Sequence, residues 1–362
     1  MIEELRIKNF RCFSEVTVTG IKPITLLSGK NNIGKSSLLE ALFFMFDHAN
    51  GTPFLKMNRV RGEMANRSIH NTWESVFHNM NTDEPIIIEM EKDGINHILK
   101  YEKESTALLD FSQEIDKSTQ TIDFLSNMSS YALKMTYEKG DYREESDYVF
   151  VAGVEQTQMV RDINREKNGK PAPKESLGIL TYLANTNNKD DASMIDLFSK
   201  LEMNNGKEKL IPILRIIDKE IDDISVLSSN SVVQLFIKKN GLTMPFRYSG
   251  DGIIKLMGIA LRILAEPGSV LLIDEIENGL HYSVLEELWS SITEAAKTNG
   301  CQIIATTHSY EAINALTKGV SNSSRKEEYS FIRLENNGEE IITNIYDYDD
   351  MTDALFAELE VR

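Results

Sequence analysis

Apolar positions near the start of the chain fall at strand spacing. Leu5 to Ile7 reads as a first strand, and Ile24 to Leu27 is a short apolar run of the kind that forms a buried one. The loop Ser28 to Gly34 follows. Leu38, Leu39, Ala41, Leu42, Phe43, Phe44, Met45 and Phe46 then predict a helix apolar on nearly every side, which belongs inside a core. Residues 1–45 thus read strand, turn, strand, glycine-containing loop, helix. Residues 86–102 and 131–152 are different. The segments IIIEM, INHILKYE, YALKMTYE and YVFVA are short and β-rich, with turn residues such as Asp93-Gly94 between them, and predict an antiparallel sheet attached to the first lobe.

From about 157 to 222 helical spacing takes over. Met194, Ile195, Leu197, Phe198 and Leu201 make one stripe, and Leu210, Ile211, Ile213, Leu214 and Ile217 another, with Pro212 near the first turn of its helix. The stripes are too broken for a long coiled coil. After Asp223 strands return, most clearly at SVVQLFIKK, and apolar runs then alternate with helices to the end, the pattern of an α/β domain. The expected organisation is an N-terminal lobe over 1–155, a helical insertion over 156–222 and a C-terminal lobe over 223–362. No internal repeat or low-complexity tract occurs.

Composition narrows the class. A chain of 362 residues with ordinary apolar content buries a core without disulfides or metals. It has no run of about 18 apolar residues, so no membrane helix is expected. The start, MIEELRIKNF, lacks the basic and apolar stretches of a signal peptide, and Cys12 and Cys301 read as free thiols, so a cytoplasmic location is expected. The net charge of −17 argues against a surface that coats nucleic acid, although a local basic patch remains open.

Four segments carry chemistry. Gly29-Lys30-Asn31-Asn32-Ile33-Gly34-Lys35-Ser36 fits G-x-x-x-x-G-K-[ST] between a predicted buried strand and a predicted buried helix. Glycines let backbone N–H groups turn toward phosphate oxygens, and the helix start adds partial positive charge. Lys35 suits the outer phosphates, Ser36 a Mg²⁺ ion, and Asn31, Asn32 and Ser37 complete the phosphate-binding set. Val270-Leu271-Leu272-Ile273-Asp274-Glu275 is an apolar strand ending in two carboxylates, Asp274 to hold Mg²⁺ and Glu275 to act as general base. Ile303 to Ser309 is a second such strand, with His308 at its tip. A helical stripe from Val284 to Ala295 joins the two, and a parallel crossover of that length would set His308 beside the carboxylates. Finally, Ser249-Gly250-Asp251-Gly252 opens the helix Ile253 to Leu264. It reads either as an ordinary N-cap or as a second anion site.

In this order the four segments resemble ABC-type ATPase heads. NFRCF, GKNNIGKSSLLEAL, GDGIIKLM, LLIDEIENGLHYSVLEELW and QIIATTHSYEAI resemble the AAA-type, ABC-like ATPases related to the OLD, RecF and SMC groups, some of which are ATPase subunits of bacterial defence systems. The resemblance is dense at both ends of the chain and covers about half of it. It implies an α/β head with a mixed sheet, an attached antiparallel β-subdomain and a helical insertion. It also implies ATP and Mg²⁺, with Gly29 to Ser36 as Walker A, Asp274-Glu275 as Walker B and His308 as the switch histidine. Ser249 to Gly252 takes the place of the signature that acts in trans within a homodimer or higher homo-oligomer. Glu277 or Asn278 falls in the D-loop position, and Arg11 is a candidate nucleotide contact.

The chain also departs from the pattern. The signature lacks the Gly-Gly-Gln of transporter heads, and no Q-loop glutamine is identifiable beyond Gln156 or Gln158. Asn188-Lys189-Asp190-Asp191 imitates a guanine-reading motif but precedes the Asp274-Glu275 strand, the wrong order for one. Lys56, Arg59, Arg61 and Arg67 form a basic segment, either solvated or a contact for a partner or nucleic acid. Asp347, Asp349, Asp350 and Asp353 read as a helix cap and solvated turn, not a metal site. The expected function is a switch ATPase that controls a separate effector protein, in anti-phage defence if the resemblance extends that far. The alternative is a RecF-like DNA-repair head.

Overall fold

The computed structural model describes residues 1–48, 53–61, 73–104, 130–152, 157–164, 176–184, 191–229, 232–321, 326–338 and 340–361. The Asn188–Asp191 decoy, Gln156 and Arg67 lie wholly or largely outside them.

Two sheets enclose the P-loop helix. The first has seven strands in the order β2-β1-β4-β5-β6-β7-β8. It comprises β1 (Ile2–Phe10), β2 (Phe13–Val18), β4 (Ile86–Lys92), β5 (Ile95–Glu104), β6 (Ser130–Lys139), β7 (Tyr142–Ala152) and β8 (Thr157–Asn164). All neighbours in it are antiparallel. The predicted antiparallel subdomain is therefore present, and it takes in the first two strands as well. The second sheet has the order β16-β15-β3-β14-β13-β9. Its strands are β3 (Ile24–Gly29), β9 (Leu180–Leu183), β13 (Val270–Ile273), β14 (Gln302–Thr306), β15 (Tyr329–Asn336) and β16 (Ile341–Tyr346). It is parallel except for β16, which makes the sheet mixed.

Alternation along this second sheet divides the interior in two. Leu27, Val270, Leu272, Ile304 and Ile332 share a core with helix α1 (Lys35–Phe46), the short helix α2 (Pro53–Val60) and the antiparallel sheet. Leu26, Leu271, Ile273, Ile303 and Ala305 face the opposite core. That core is closed by α3 (Asp191–Met203), α4 (Lys207–Leu214), α5 (Asp251–Ala265), α6 (Leu285–Asn299), α7 (Tyr310–Gly319) and α8 (Tyr348–Phe356). Strands buried on both faces read as continuous apolar runs, which is why VLLI and QIIAT carry no alternation.

The 156–222 segment corrects the sequence reading. Only α3 and α4 are the expected helices; Thr157–Asn164 and Leu180–Leu183 are strands. The first is the far edge of the antiparallel sheet, and the second pairs with β13 in the central sheet. Gln158, on β8, thus lies on that far edge strand and not beside the phosphate loop. Residues 221–245 form a separate three-stranded sheet of β10 (Ile221–Ser229), β11 (Val232–Lys239) and β12 (Leu242–Pro245), which leads into α5. The Asp347 cluster is a capping box: Asp347 accepts from the Asp350 N–H, and Asp350 from the Asp347 N–H.

Candidate nucleotide and hydrolysis site

Parallel register brings the C-terminal ends of β3, β14, β13 and β9 to one edge of the sheet. Ligands in such sheets bind at that edge. The Gly29–Ser36 segment, the Walker A candidate, forms the loop between β3 and α1. Its backbone needs glycine twice, with φ of 135° at Gly29 and 108° at Gly34. A Cβ on Gly29 would stand 2.6 Å from the Leu334 oxygen, and one on Gly34 2.5 Å from the Phe13 ring and 2.6 Å from Cys12 Sγ. Lys30, Asn31 and Asn32 are exposed on the loop, and Ser37 is buried beneath it. Lys35 folds into the loop, where Nζ donates to the carbonyls of Gly29 at 2.6 Å and Lys30 at 3.0 Å. Burial lowers its pKa, against the pull of Asp274, Glu275 and Glu277.

Asp274 follows β13 directly. Its Oδ1 accepts from Ser36 Oγ at 3.1 Å and from Thr306 Oγ1 at 2.6 Å, and its Oδ2 from the Tyr182 hydroxyl at 3.4 Å. Burial and the Asp274 charge raise the Tyr182 pKa, so the phenol stays a donor. A serine hydroxyl and one carboxylate are hard oxygen donors at the spacing a Mg²⁺–nucleotide complex requires, and they fit that ion. Among the described residues no cluster of three or more His, Cys, Asp or Glu side chains could hold a metal by itself.

Glu275 comes next, in left-handed backbone at φ 45°, with its N–H held by Thr306 Oγ1 at 2.8 Å. Its carboxylate lies 4.0 Å from His308 Nδ1, and that of Glu277 lies 3.3 Å from the same nitrogen. Glu277 also accepts the His308 N–H at 3.1 Å. The predicted crossover thus does set His308 beside the carboxylates. Of the two D-loop candidates, Glu277 turns inward to His308 of its own chain. Asn278 closes the turn instead, donating its N–H to the Glu275 carbonyl at 2.9 Å.

Ser249 to Gly252 make no hydrogen bond to the P-loop of the same chain among the described residues. Gly250, not Ser249, is the N-cap of α5, and no side chain caps this helix. Ser249 Oγ is buried without a hydrogen-bond partner among the described residues, at 9% residue exposure. The segment thus supplies the helix cap through Gly250, while the Ser249 hydroxyl takes no part in capping.

Arg11, the candidate nucleotide contact, is engaged within its own chain: its Nε donates to Glu40 of α1 at 3.0 Å and its Nη1 to the Ser75 carbonyl at 3.1 Å. Of the basic segment, Lys56 pairs with Asp47 at 2.7 Å and Arg61 with Glu40 at 2.6 Å. Three features escaped the sequence reading. Tyr182 sits on a four-residue strand with no periodicity to mark it. Lys255 is an unremarkable lysine in an apolar helix. Glu360 joins Gly29, Lys30, Asn31 and His308 around a cavity of ≈ 340 Å³, because Ser28 Oγ donates to the Val361 carbonyl and draws the C-terminal segment over β3.

A glycine loop, its lysine, a serine–aspartate pair and a carboxylate–histidine group on one sheet edge define a P-loop nucleotide hydrolase. Comparison narrows that class. The model of the AAA ATPase domain matches residues 1–313, and the chain belongs to that family; it is an ATP-binding and ATP-hydrolysing enzyme. A Helicobacter pylori protein described as an ATP/GTP phosphatase is 26% identical over 364 residues, covering 96% of this chain and 95% of its own. An uncharacterized protein of Methanocaldococcus jannaschii is 31% identical over 135 residues, 35% of this chain and 60% of its own. Among solved structures, an SMC head bound to the C-terminal winged-helix domain of ScpA matches 97% of this chain and 99% of its own at 13% identity and a TM-score of 0.49. At that score the likeness carries no functional inference. Among the described residues no helix is long and apolar enough to cross a membrane.

Proposed function

We propose that this protein is a Mg²⁺-dependent switch ATPase in which two copies enclose the nucleotide, and that closure of the pair controls a separate effector protein. One observation carries the reading. Lys35, the Ser36–Asp274 pair, Glu275 and the Glu277–His308 pair converge on one sheet edge, while the helix end bearing Ser249 makes no hydrogen bond to the P-loop of its own chain among the described residues. The backbone N–H groups of Gly29 to Ser36 and the start of α1 hold the phosphates, and Lys35 offers its ammonium to the outer two. Ser36 and Asp274 would hold Mg²⁺, which supplies charge neutralisation on the transferring phosphoryl group. Glu275 accepts a proton from the attacking water. His308, fixed by Glu277, donates toward the terminal phosphate. Ser249 to Gly252 of the second copy close the site with a helix N-terminus. Such a pair is two-fold symmetric, with two nucleotides in its interface.

The Helicobacter relative is named for both ATP and GTP, so both nucleotides belong in the assay. An acidic chain whose Lys56 and Arg61 are already paired supports a protein effector over a DNA clamp. The effector and a place in anti-phage defence rest on the motif resemblance, and co-purification with the products of neighbouring genes tests them.

For the site itself, Glu275→Gln should bind ATP normally, accumulate as a closed dimer, and turn over about 10² to 10⁴ times more slowly. A mixture of Lys35→Ala with Ser249→Arg should recover activity that neither has alone, because the mixed dimer keeps one intact composite site. Wild-type activity proportional to concentration far below any dimerisation would refute the shared site.

A further inference from the structure

The second turn of α5 carries Lys255, whose Nζ donates to the carbonyl of Glu275 at 2.5 Å and to that of Asn278 at 3.2 Å. Glu275 sits in left-handed backbone, a region that L side chains occupy only when their surroundings hold them there. Both of its flanking peptide groups are held. Its N–H bonds to Thr306 at the end of β14, and its carbonyl accepts from the Asn278 N–H and from Lys255. One turn earlier, Gly252 lies so close to the same segment that a Cβ there would stand 2.6 Å from the Gly279 oxygen and 3.1 Å from Leu280 Cδ2. Two contacts a turn apart thus fasten the start of α5 to residues 275–280. Filling space does not explain a lysine here: burial disfavours the ammonium and lowers its pKa to about 8, a cost that a methionine would not carry.

We propose that Lys255 is a positioning residue for hydrolysis, locking the Glu275–Asn278 turn to α5 so that movement of the helix end at Ser249–Gly252 is transmitted to the Glu275 carboxylate. This rests on the reading that Glu275 activates water and that Ser249–Gly252 meet the nucleotide of a second copy. Lys255 then couples the two sites: contact of α5 with one nucleotide sets the geometry of the base at the other.

The experiment compares Lys255→Met, Lys255→Arg and Glu275→Gln with wild type in full-length protein. It measures affinity for a fluorescent ATP analogue, turnover against ATP concentration, and thermal melting. Lys255→Met should bind within about threefold of wild type yet turn over about 10- to 100-fold more slowly, as a misplaced base does. Its dependence on ATP concentration should also lose any cooperativity. Lys255→Arg, which can still donate to both carbonyls, should restore most of the rate. Wild-type turnover in Lys255→Met beside an inactive Glu275→Gln overturns the positioning role and leaves the site assignment standing. Equal losses of affinity, turnover and folded fraction, without rescue by arginine, overturn it in favour of a purely structural lysine. An active Glu275→Gln removes the underlying reading instead. Should Lys255→Met fail to fold, Lys255→Gln carries the same comparison.

Discussion

Gly34→Ala tests the phosphate loop at its tightest point. The residue sits at φ 108°, outside the regions open to alanine, and a strained backbone of this kind costs about 1–3 kcal/mol. The new methyl would also stand 2.5 Å from Phe13 Cζ, 2.6 Å from Cys12 Sγ and 2.8 Å from Phe13 Cε1. Phe13 is 1% exposed, so it cannot swing into solvent, and overpacking of this kind adds about 1–3 kcal/mol. The cheapest relief is for the loop to leave its conformation, which turns its N–H groups away from the phosphates. The penalty of about 2–6 kcal/mol therefore falls on nucleotide binding, and at about 1.4 kcal/mol per decade it weakens the affinity by roughly 30-fold or more. Titration calorimetry with ADP measures the affinity without turnover, and a thermal melt of the free protein separates loop damage from unfolding. Phe13→Leu in the same chain should recover the part of the loss due to the Phe13 ring but not the backbone part. A Gly34→Ala protein that binds ADP within about threefold of wild type would refute both the loop assignment and the reasoning about its glycine.

Two further outcomes concern stability. Glu40, 2% exposed, accepts from Arg11 at 3.0 Å and pairs with Arg61 at 2.6 Å. Glu40→Ala removes the carboxylate that neutralises the buried Arg11 guanidinium and should cost about 3–5 kcal/mol, whereas Arg61→Ala, at a side chain 41% exposed, should cost under about 1 kcal/mol; urea unfolding decides, and equal effects would contradict the burial argument. The pH dependence follows from Lys255. Its folded pKa of about 8 lies below the ordinary 10.5, so between those values the unfolded chain binds more protons than the folded one and stability rises with pH. The cost of the buried ammonium is fully present below about pH 8 and is relieved toward 10.5. Nucleotide-free wild type should therefore gain stability relative to Lys255→Met as pH rises through that window, and a constant difference between them would contradict the depressed pKa.

How far the chain could be read without its fold depended on how local each signal was. The P-loop is a contiguous run whose glycines, lysine and serine act within one turn, so Gly29 to Ser36 were legible as a unit. The strands ending in Asp274 and His308 were legible because strands buried on both faces are uninterrupted apolar runs. Their adjacency followed from the handedness and length of one crossover. The seams were harder. Leu180–Leu183 is four residues long, too short for any period to show, and only its pairing with β13 makes it a strand of the core and places Tyr182 against Asp274. Arg11 was a candidate nucleotide contact from its place after the first strand, and its bond to Glu40, 29 residues away, was not legible. Glu277 was a D-loop candidate by position, and its contact with His308, 31 residues on, turned it inward. Motif chemistry is written in consecutive residues because backbone geometry enforces it locally. Which carboxylate a distant arginine, histidine or lysine satisfies is set by the register of strands and the packing of helices, and that information exists only once the chain has folded.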